Sequence, residues 1–183
     1  MTDPAAPSSP ATTPTASPAY RVRPARPADV RGIRDLVQPY ADERILLAKE
    51  LVGYYEAIQE FQVAEAEDGT LIGCGALHVM WQDLAEIRTL AVARQWRGRG
   101  VGHALLEGLT ARGQELGLSR LFCLTFEVDF FAAHGWGTIA GPAVPPEVYA
   151  ELLRSHDDGV AEFLDLARVK PNTLGNTRMI VDL

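Results

Sequence analysis

Between Leu84 and Val92 an apolar run carries one carboxylate and one guanidinium, Glu86 and Arg88, and Gln95-Trp96-Arg97-Gly98-Arg99-Gly100 follows two residues later. Alternate side chains of a strand share a face, so Ala85, Ile87, Thr89 and Ala91 fall on one side and Glu86, Arg88, Leu90 and Val92 on the other. Glu86 and Arg88 then stand about 7 Å apart on one face. A strand covered on both sides should be apolar throughout. The pair therefore either satisfies its charges internally, with polar partners at an open end of the sheet, or borders a substrate cleft. Its place just upstream of the glycines favours the cleft. A carboxylate there is a candidate general base.

Gly98, Gly100 and Gly102 alternate between the apolar Leu90-Ala91-Val92 and a helical pattern of Val101, Leu105, Leu109 and Leu116. That order predicts a strand, a tight loop and a helix N-terminus, whose unpaired N–H groups and dipole suit a phosphate. Arg94, Arg97, Arg99 and His103 add positive charge at the same point. A plain surface loop with arginines is the bland alternative. A Walker loop would end in Gly-Lys-Ser/Thr, and a dinucleotide loop would follow the first strand with Gly-x-Gly-x-x-Gly; neither fits. The spacing Gln-x-x-Gly-x-Gly resembles, at all six positions, the acetyl-CoA pyrophosphate loop of the GCN5-related N-acetyltransferases. The resemblance implies acetyl-CoA as co-substrate, held by the main chain of Leu90, Ala91 and Val92 and by Gln95, Arg97, Gly98, Arg99, Gly100, Val101, Gly102 and His103. It also implies an oxyanion donor from a backbone N–H near Leu90 or Ala91, where such enzymes splay the sheet. The tyrosine that commonly serves the family as acid is replaced by Phe131, so no general acid is assigned.

The chain has 183 residues, 47% hydrophobic and 22% charged, enough for one domain with a full core. A net charge of −7 argues against nucleic acid as the main partner. Cys74 and Cys123 each lie inside an apolar run and read as reduced thiols of a cytoplasmic protein. No stretch has the length and apolarity of a membrane span, and the first residues lack the basic-then-apolar order expected of a signal peptide. No His/Cys/Asp spacing suggests a metal.

Residues 1–19, nearly all Pro, Ala, Ser and Thr, are expected to be disordered, and residues 20–183 to form the acetyltransferase domain. In that domain a strand at Tyr20–Arg23 precedes a helix striped by Val30, Ile33, Leu36 and Val37, and a second helix is expected from about Ile45 to Ile58. Strands follow at Phe61–Glu65, Leu71–Trp81 and Leu84–Val92, the first two joined by a turn at Glu67–Thr70. After the loop and its helix come a strand at Leu121–Phe126, a short helix at Asp129–His134, a helix from Pro145, a short segment at Ala161–Ala167 and a last strand at Thr177–Val181. The expected class is α/β, a mixed central sheet with helices on both faces.

A narrower resemblance concerns the acceptor. Arg44–Lys49, Ile72–Leu77, Gly117–Phe122 and Leu124-Thr125 are similar to the acetyltransferase domain of amino-acid N-acetyltransferases of the N-acetylglutamate synthase type, most of all to the stand-alone form without an amino-acid-kinase domain. The likeness extends from Tyr20 to Leu183 and includes the Asp165–Asn172 tail. It implies transfer to the α-amino group of glutamate or glutamine, the first step of arginine biosynthesis, with Lys49 near a substrate carboxylate and the backbone of Cys74 lining the site. Carboxylates of such a substrate call for cationic donors, and Lys49, Arg88, Lys170 and Arg178 are the candidates. Taken singly, Lys49 and Lys170 read as solvated surface charges, whereas Arg88 sits in a strand interior. His78 reads as a strand residue. Direct attack in a ternary complex is expected, since no Cys or Ser stands beside a His. The alternatives are another amine acceptor, which predicts an acidic groove, and a non-catalytic acyl-CoA sensor. A homodimer is among the open oligomeric states.

Overall fold

The structure, a computed structural model, describes residues 19–164 and 175–183. Its sheet has seven strands among the described residues, in the order β1-β2-β3-β4-β5-β7-β6. The strands are β1 (Tyr20–Pro24), β2 (Phe61–Ala66), β3 (Leu71–Trp81), β4 (Leu84–Val92), β5 (Arg120–Thr125), β6 (Gly137–Thr138) and β7 (Thr177–Asp182). The helices are α1 (Val30–Asp42), α2 (Leu51–Glu56), α3 (Val101–Glu115), α4 (Val128–Ala132), α5 (Pro146–Leu152) and α6 (Asp158–Phe163). All pairings are antiparallel except β4 with β5.

Helices cover both faces. The stripe Val30, Ile33 and Val37 of α1 is fully buried against Phe61, Val63, Cys74, Ala76 and Ala91. On the opposite face Leu105, Leu106 and Leu109 of α3 pack over Ile72, Leu77, Ala85 and Ile87. A third cluster, in which Val148, Leu152, Val160 and Phe163 meet Leu84 and Phe122, seats α5 and α6 on the far part of the sheet. Leu84, Glu86 and Arg88 share strand parity and Glu86 pairs in register with Phe122, so Glu86 lies on the face that α1 and the tail helices divide between them.

Three expectations need correction. The helix expected from Ile45 to Ile58 is only Leu51–Glu56, followed by a 3-10 turn at Ile58–Glu60. Arg44, at φ 60°, breaks the chain just before it, and Ile45 to Lys49 run as an irregular segment. The two-residue strand β6 has no counterpart in the sequence reading.

The third correction concerns β4. Cys74 pairs with Ala91 and Ala76 with Arg88, so Gly75 alone faces both Thr89 and Leu90. This is a β-bulge, and Thr89 sits at φ 57° within it. The extra residue reverses the alternation. Leu90 and Val92 turn toward α3 with Ile87, and Ala91 joins Glu86 and Arg88 on the α1 face. A Cβ built on Gly75 would stand 3.0 Å from Leu90 Cδ1, on the α3 side where Leu109 also lies. Strict period-two reading had put Leu90 and Val92 beside Glu86.

The disordered tail expected over residues 1–19 falls, except for Ala19, outside the described residues, as do Lys170 and the Asp165–Asn172 segment.

Candidate active site

Two features of β4 converge on one place. Its pairing with β5 covers only Leu84–Glu86 against Arg120–Phe122 and then stops, so the strands diverge and the β4 edge from Ile87 onward borders a wedge. At the mouth of that wedge the chain leaves Val92, makes a 3-10 turn at Arg94–Trp96, and enters α3 through Gly98 (φ 73°) and Gly100 (φ 79°). Gly100 is the cap residue of α3 in the left-handed region, which disfavours any Cβ. Ala104 N–H is the first to return to the helix, bonding Gly100 O at 3.0 Å. The preceding N–H groups of Val101, Gly102 and His103 have no partner in their own helix and point out of its positive end.

The loop arginines are held by neighbours. Arg97 pairs with Glu127 at 3.0 Å, Arg94 pairs with Glu43, and Arg99 lies over the Trp96 ring at 5.1 Å. His103 meets both His134 and Glu107. Leu90, Ala91 and Val92 turn their side chains into the cores, so what they can offer a ligand is main chain. The arrangement fits a pyrophosphate on the helix end with its thioester arm running down the wedge.

Glu86 and Arg88 stand further along the same strand. Glu86 is 2% exposed, and its Oε2 has no hydrogen bond, with Arg88 Nη1 at 3.8 Å. Burial pushes its pKa above the usual carboxylate range, against the opposing pull of Arg88 and His78. Arg88 Nη1 donates to Asp157 Oδ1 at 2.7 Å, and Nη2 donates to Glu60 Oε2 at 3.1 Å. Burial opposes the Arg88 charge, yet the surrounding carboxylates raise its pKa. Asp157, despite burial, is held down at about 2 by the Arg88 guanidinium and by Val160 N–H, which donates to its Oδ1 at 2.9 Å. The first alternative for the Glu86–Arg88 pair holds, since Arg88 has internal partners, and both residues also line a small cavity of about 50 Å³.

Residues of the irregular segment, Leu47 and Lys49 among them, line that cavity together with Thr89 from the bulge, Leu124 from β5, Gly159 and Asn176. Burial, helped by Arg88, lowers the Lys49 pKa. Gly159 is the close approach of α6: a Cβ there would stand 2.6 Å from Arg88 Nη1 and 3.1 Å from Glu86 Oε2.

The other sequence candidates distribute unevenly. Cys74 turns its thiol into the α1 core, 3.6 Å from Thr89 O, and is not among the residues lining the cavity. Arg178 stands opposite Leu124 and lies over the Phe122 and Phe163 rings, on the Glu86 face but not among the residues lining the cavity. Phe131 is buried between Phe130 and Trp136, so no hydroxyl stands there. Burial pushes the Cys74 thiol up to about 12 and raises that of Cys123 as well, which makes both poor nucleophiles. Among the described residues, no group of three or more His, Cys, Asp or Glu could hold a metal ion, and no helix is long and apolar enough to cross a membrane.

The sequence reading missed Glu60, Asp157, Gly159 and the role of His78. His78 Nδ1 donates to Glu60 Oε1 at 2.7 Å, and His78 is the register partner of Glu86 across β3 and β4. Its signal was available, since it interrupts the apolar β3 as Glu86 interrupts β4.

Comparison with known proteins agrees with this geometry. The chain is 55% identical to an amino-acid acetyltransferase of Mycobacterium tuberculosis over 164 residues, 88% of this chain and 94% of the relative. A Mycobacterium tuberculosis crystal structure containing CoA and a second ligand superposes with a TM-score of 0.86 at 55% identity, covering 89% of this chain and 99% of that one. N-acetylglutamate synthase from Neisseria gonorrhoeae, solved with coenzyme A and N-acetyl-glutamate, superposes with a TM-score of 0.71 at 26% identity. There 90% of this chain is covered but only 35% of the synthase. The profile of the acetyltransferase (GNAT) family matches residues 31–136, which hold the bulged strand, the wedge and the glycine loop, and the chain belongs to that family.

Proposed function

We propose that this acyltransferase moves the acetyl group of acetyl-CoA to the α-amino group of glutamate or glutamine, the entry reaction of arginine biosynthesis. The observation that carries the reading is the buried Glu86 carboxylate, raised in pKa and with its Oε2 lacking a hydrogen bond, at the head of a wedge that begins at a helix end suited to phosphate. A carboxylate so poised takes a proton from the substrate ammonium, directly or through a water. The freed amine attacks the thioester, and backbone N–H groups next to the Thr89 bulge receive the developing oxyanion. Free thiols have pKa values near 8.5, so the CoA thiolate can leave and take its proton from solvent. With both cysteines inert, direct attack needs no covalent enzyme intermediate. Lys49 at the cavity rim suits the substrate carboxylate, and the two free cysteines suit a cytoplasmic setting.

One observation favours a second reading. Among the described residues Glu60, Glu86 and Asp157 outnumber Lys49 and Arg88 around the cavity, and an acidic surround suits a cationic amine. CoA-thiol release against glutamate, glutamine, aspartate, lysine, spermidine and a basic peptide decides between them. Turnover with glutamate or glutamine is expected; turnover confined to cationic amines would sink the amino-acid reading.

The loop makes a separate prediction. Gly100→Val forces a β-branched residue into φ 79°, at a cost of about 1–2 kcal/mol. The loop relaxes out of its anion-binding shape, and calorimetry should find CoA binding weakened roughly tenfold, about 1.4 kcal/mol. An unchanged Kd would remove this loop from the cofactor site.

A further inference from the structure

Glu86 poses a problem of traffic. If it accepts a proton at each turnover it must also lose one, yet it is 2% exposed and Gly159 of α6 closes over it. Substrate, once bound, fills the cavity in front. A way out that avoids the substrate has to lead sideways across the sheet.

The neighbour in that direction is His78. Cross-strand partners on one face hold their Cβ atoms about 5 Å apart, and His78 faces Glu86 across β3 and β4. Its side chain is 21% exposed, so it has water on one flank and the buried base on the other. Its protonation pattern is constrained by its partner. Glu60 Oε1 lies 2.7 Å from Nδ1, and a carboxylate only accepts, so the Nδ1 position carries the hydrogen and the neutral ring keeps its lone pair on Nε2. Glu60 is itself anchored by Arg88 Nη2 at 3.1 Å. Its pKa lies below normal because His78 and Arg88 outweigh its burial, so it stays anionic beside the ring. A carboxylate thus orients an imidazole whose free nitrogen is left for a third group, the same logic by which a buried aspartate supports the histidine of hydrolases.

We propose that the His78–Glu60 pair is the proton outlet of the acetyltransferase site. The proposal rests on Glu86 being the base. The substrate N–H bond breaks as a Glu86 O–H bond forms. That O–H then breaks as His78 Nε2 takes the proton, directly or through one water. The imidazolium, stabilised by Glu60 on Nδ1, releases the same proton from Nε2 to solvent. Glu86 returns to its carboxylate and His78 to its starting tautomer, with no net change in either. Other charges facing this path are Arg88 on β4, Asp157 ahead of α6, and Lys49. His78 touches neither acetyl-CoA nor the amine in this scheme, and is a positioning and relay residue.

The test is the steady-state turnover rate of His78→Ala and His78→Gln in dilute buffer, with and without added imidazole, beside Glu86→Gln. The rate of both His78 variants should fall about ten- to a hundredfold. Imidazole should restore His78→Ala in a saturable manner, with KM for both substrates unchanged. Glu86→Gln should be slow and indifferent to imidazole. Full activity in either folded His78 variant overturns the outlet. So does a loss that imidazole leaves untouched and that comes with a raised KM, which marks a merely structural histidine. Should His78→Ala fail to fold, His78→Gln keeps the shape and decides by its rate and KM alone. Full activity of Glu86→Gln would sink the base reading, a different failure from loss of the outlet.

Discussion

Glu86→Gln should lower the rate at neutral pH by roughly two to four orders of magnitude, about 3–5 kcal/mol on the barrier, while acetyl-CoA binds as before. Glutamine keeps the shape and the burial but cannot accept the proton, so the loss belongs to the chemical step. Two further readouts distinguish this from damage to the fold. First, the native enzyme should lose activity as pH falls through the raised pKa of Glu86, and the variant should lack that limb. Secondly, a carboxyl group whose folded pKa lies above its unfolded value stabilises the fold only at low pH, and that contribution disappears as pH rises through the folded pKa. At neutral pH the buried carboxylate is a burden, so Glu86→Gln should melt at or above the native temperature, with the gap closing toward acid pH. A variant that is destabilised but active would contradict both parts of the assignment.

Arg88→Ala carries the largest expected effect on stability. The guanidinium is 9% exposed and serves Glu60 and Asp157 with hydrogen bonds and Glu86 at 3.8 Å. Its removal leaves three carboxylates around an empty space. Breaking a buried pair by deleting one partner costs about 3–5 kcal/mol; the lower end applies, because Glu60 and Asp157 are 25% and 31% exposed. A drop of roughly 6–12 °C in Tm follows for a chain of this size. The sign with pH is set by Asp157, whose pKa falls from 3.8 to about 2 on folding. Its stabilisation is complete above 3.8 and is lost as pH falls toward 2. The difference between native and variant should be widest at neutral pH and shrink through that window. An unchanged Tm would mean that the network contributes nothing to the fold.

How much of this was legible beforehand differs by scale. The strand, loop and helix around Gly98 and Gly100 follow from glycine spacing and apolar periodicity, and the structure has them at Leu84–Val92 and Val101–Glu115. Glu86 and Arg88 announced themselves as charges in an apolar strand. The bulge did not, because threonine favours extended backbone and nothing in the local sequence marks Thr89 for φ 57°. Alternation counted through that point therefore placed Leu90 and Val92 on the wrong face. The helix over Ile45 to Ile58 failed for a related reason: its apolar spacing is helical, but Ile45, Leu46, Leu47 and Lys49 line the cavity beside Glu86 and Arg88 instead. Asp157 stands 69 positions from Arg88, a separation over which one sequence offers no pairing signal.

The position of α6 has a consequence for how such a chain can change its substrate. The family profile ends at residue 136, and everything that receives acetyl-CoA in this reading lies before that point. Asp157, Gly159 and Asn176, which close the cavity over Glu86 and Arg88, come after it. In the proposed reading the acceptor side draws on both parts of the chain, Lys49 and Arg88 before residue 136 and Asp157, Gly159 and Asn176 after it, and the two parts meet at β4. Selection for a new amine can rewrite the terminal quarter of the protein while the acetyl-transfer apparatus stays intact, provided that whatever replaces α6 still offers a carboxylate to Arg88 and a residue without a side chain above Glu86.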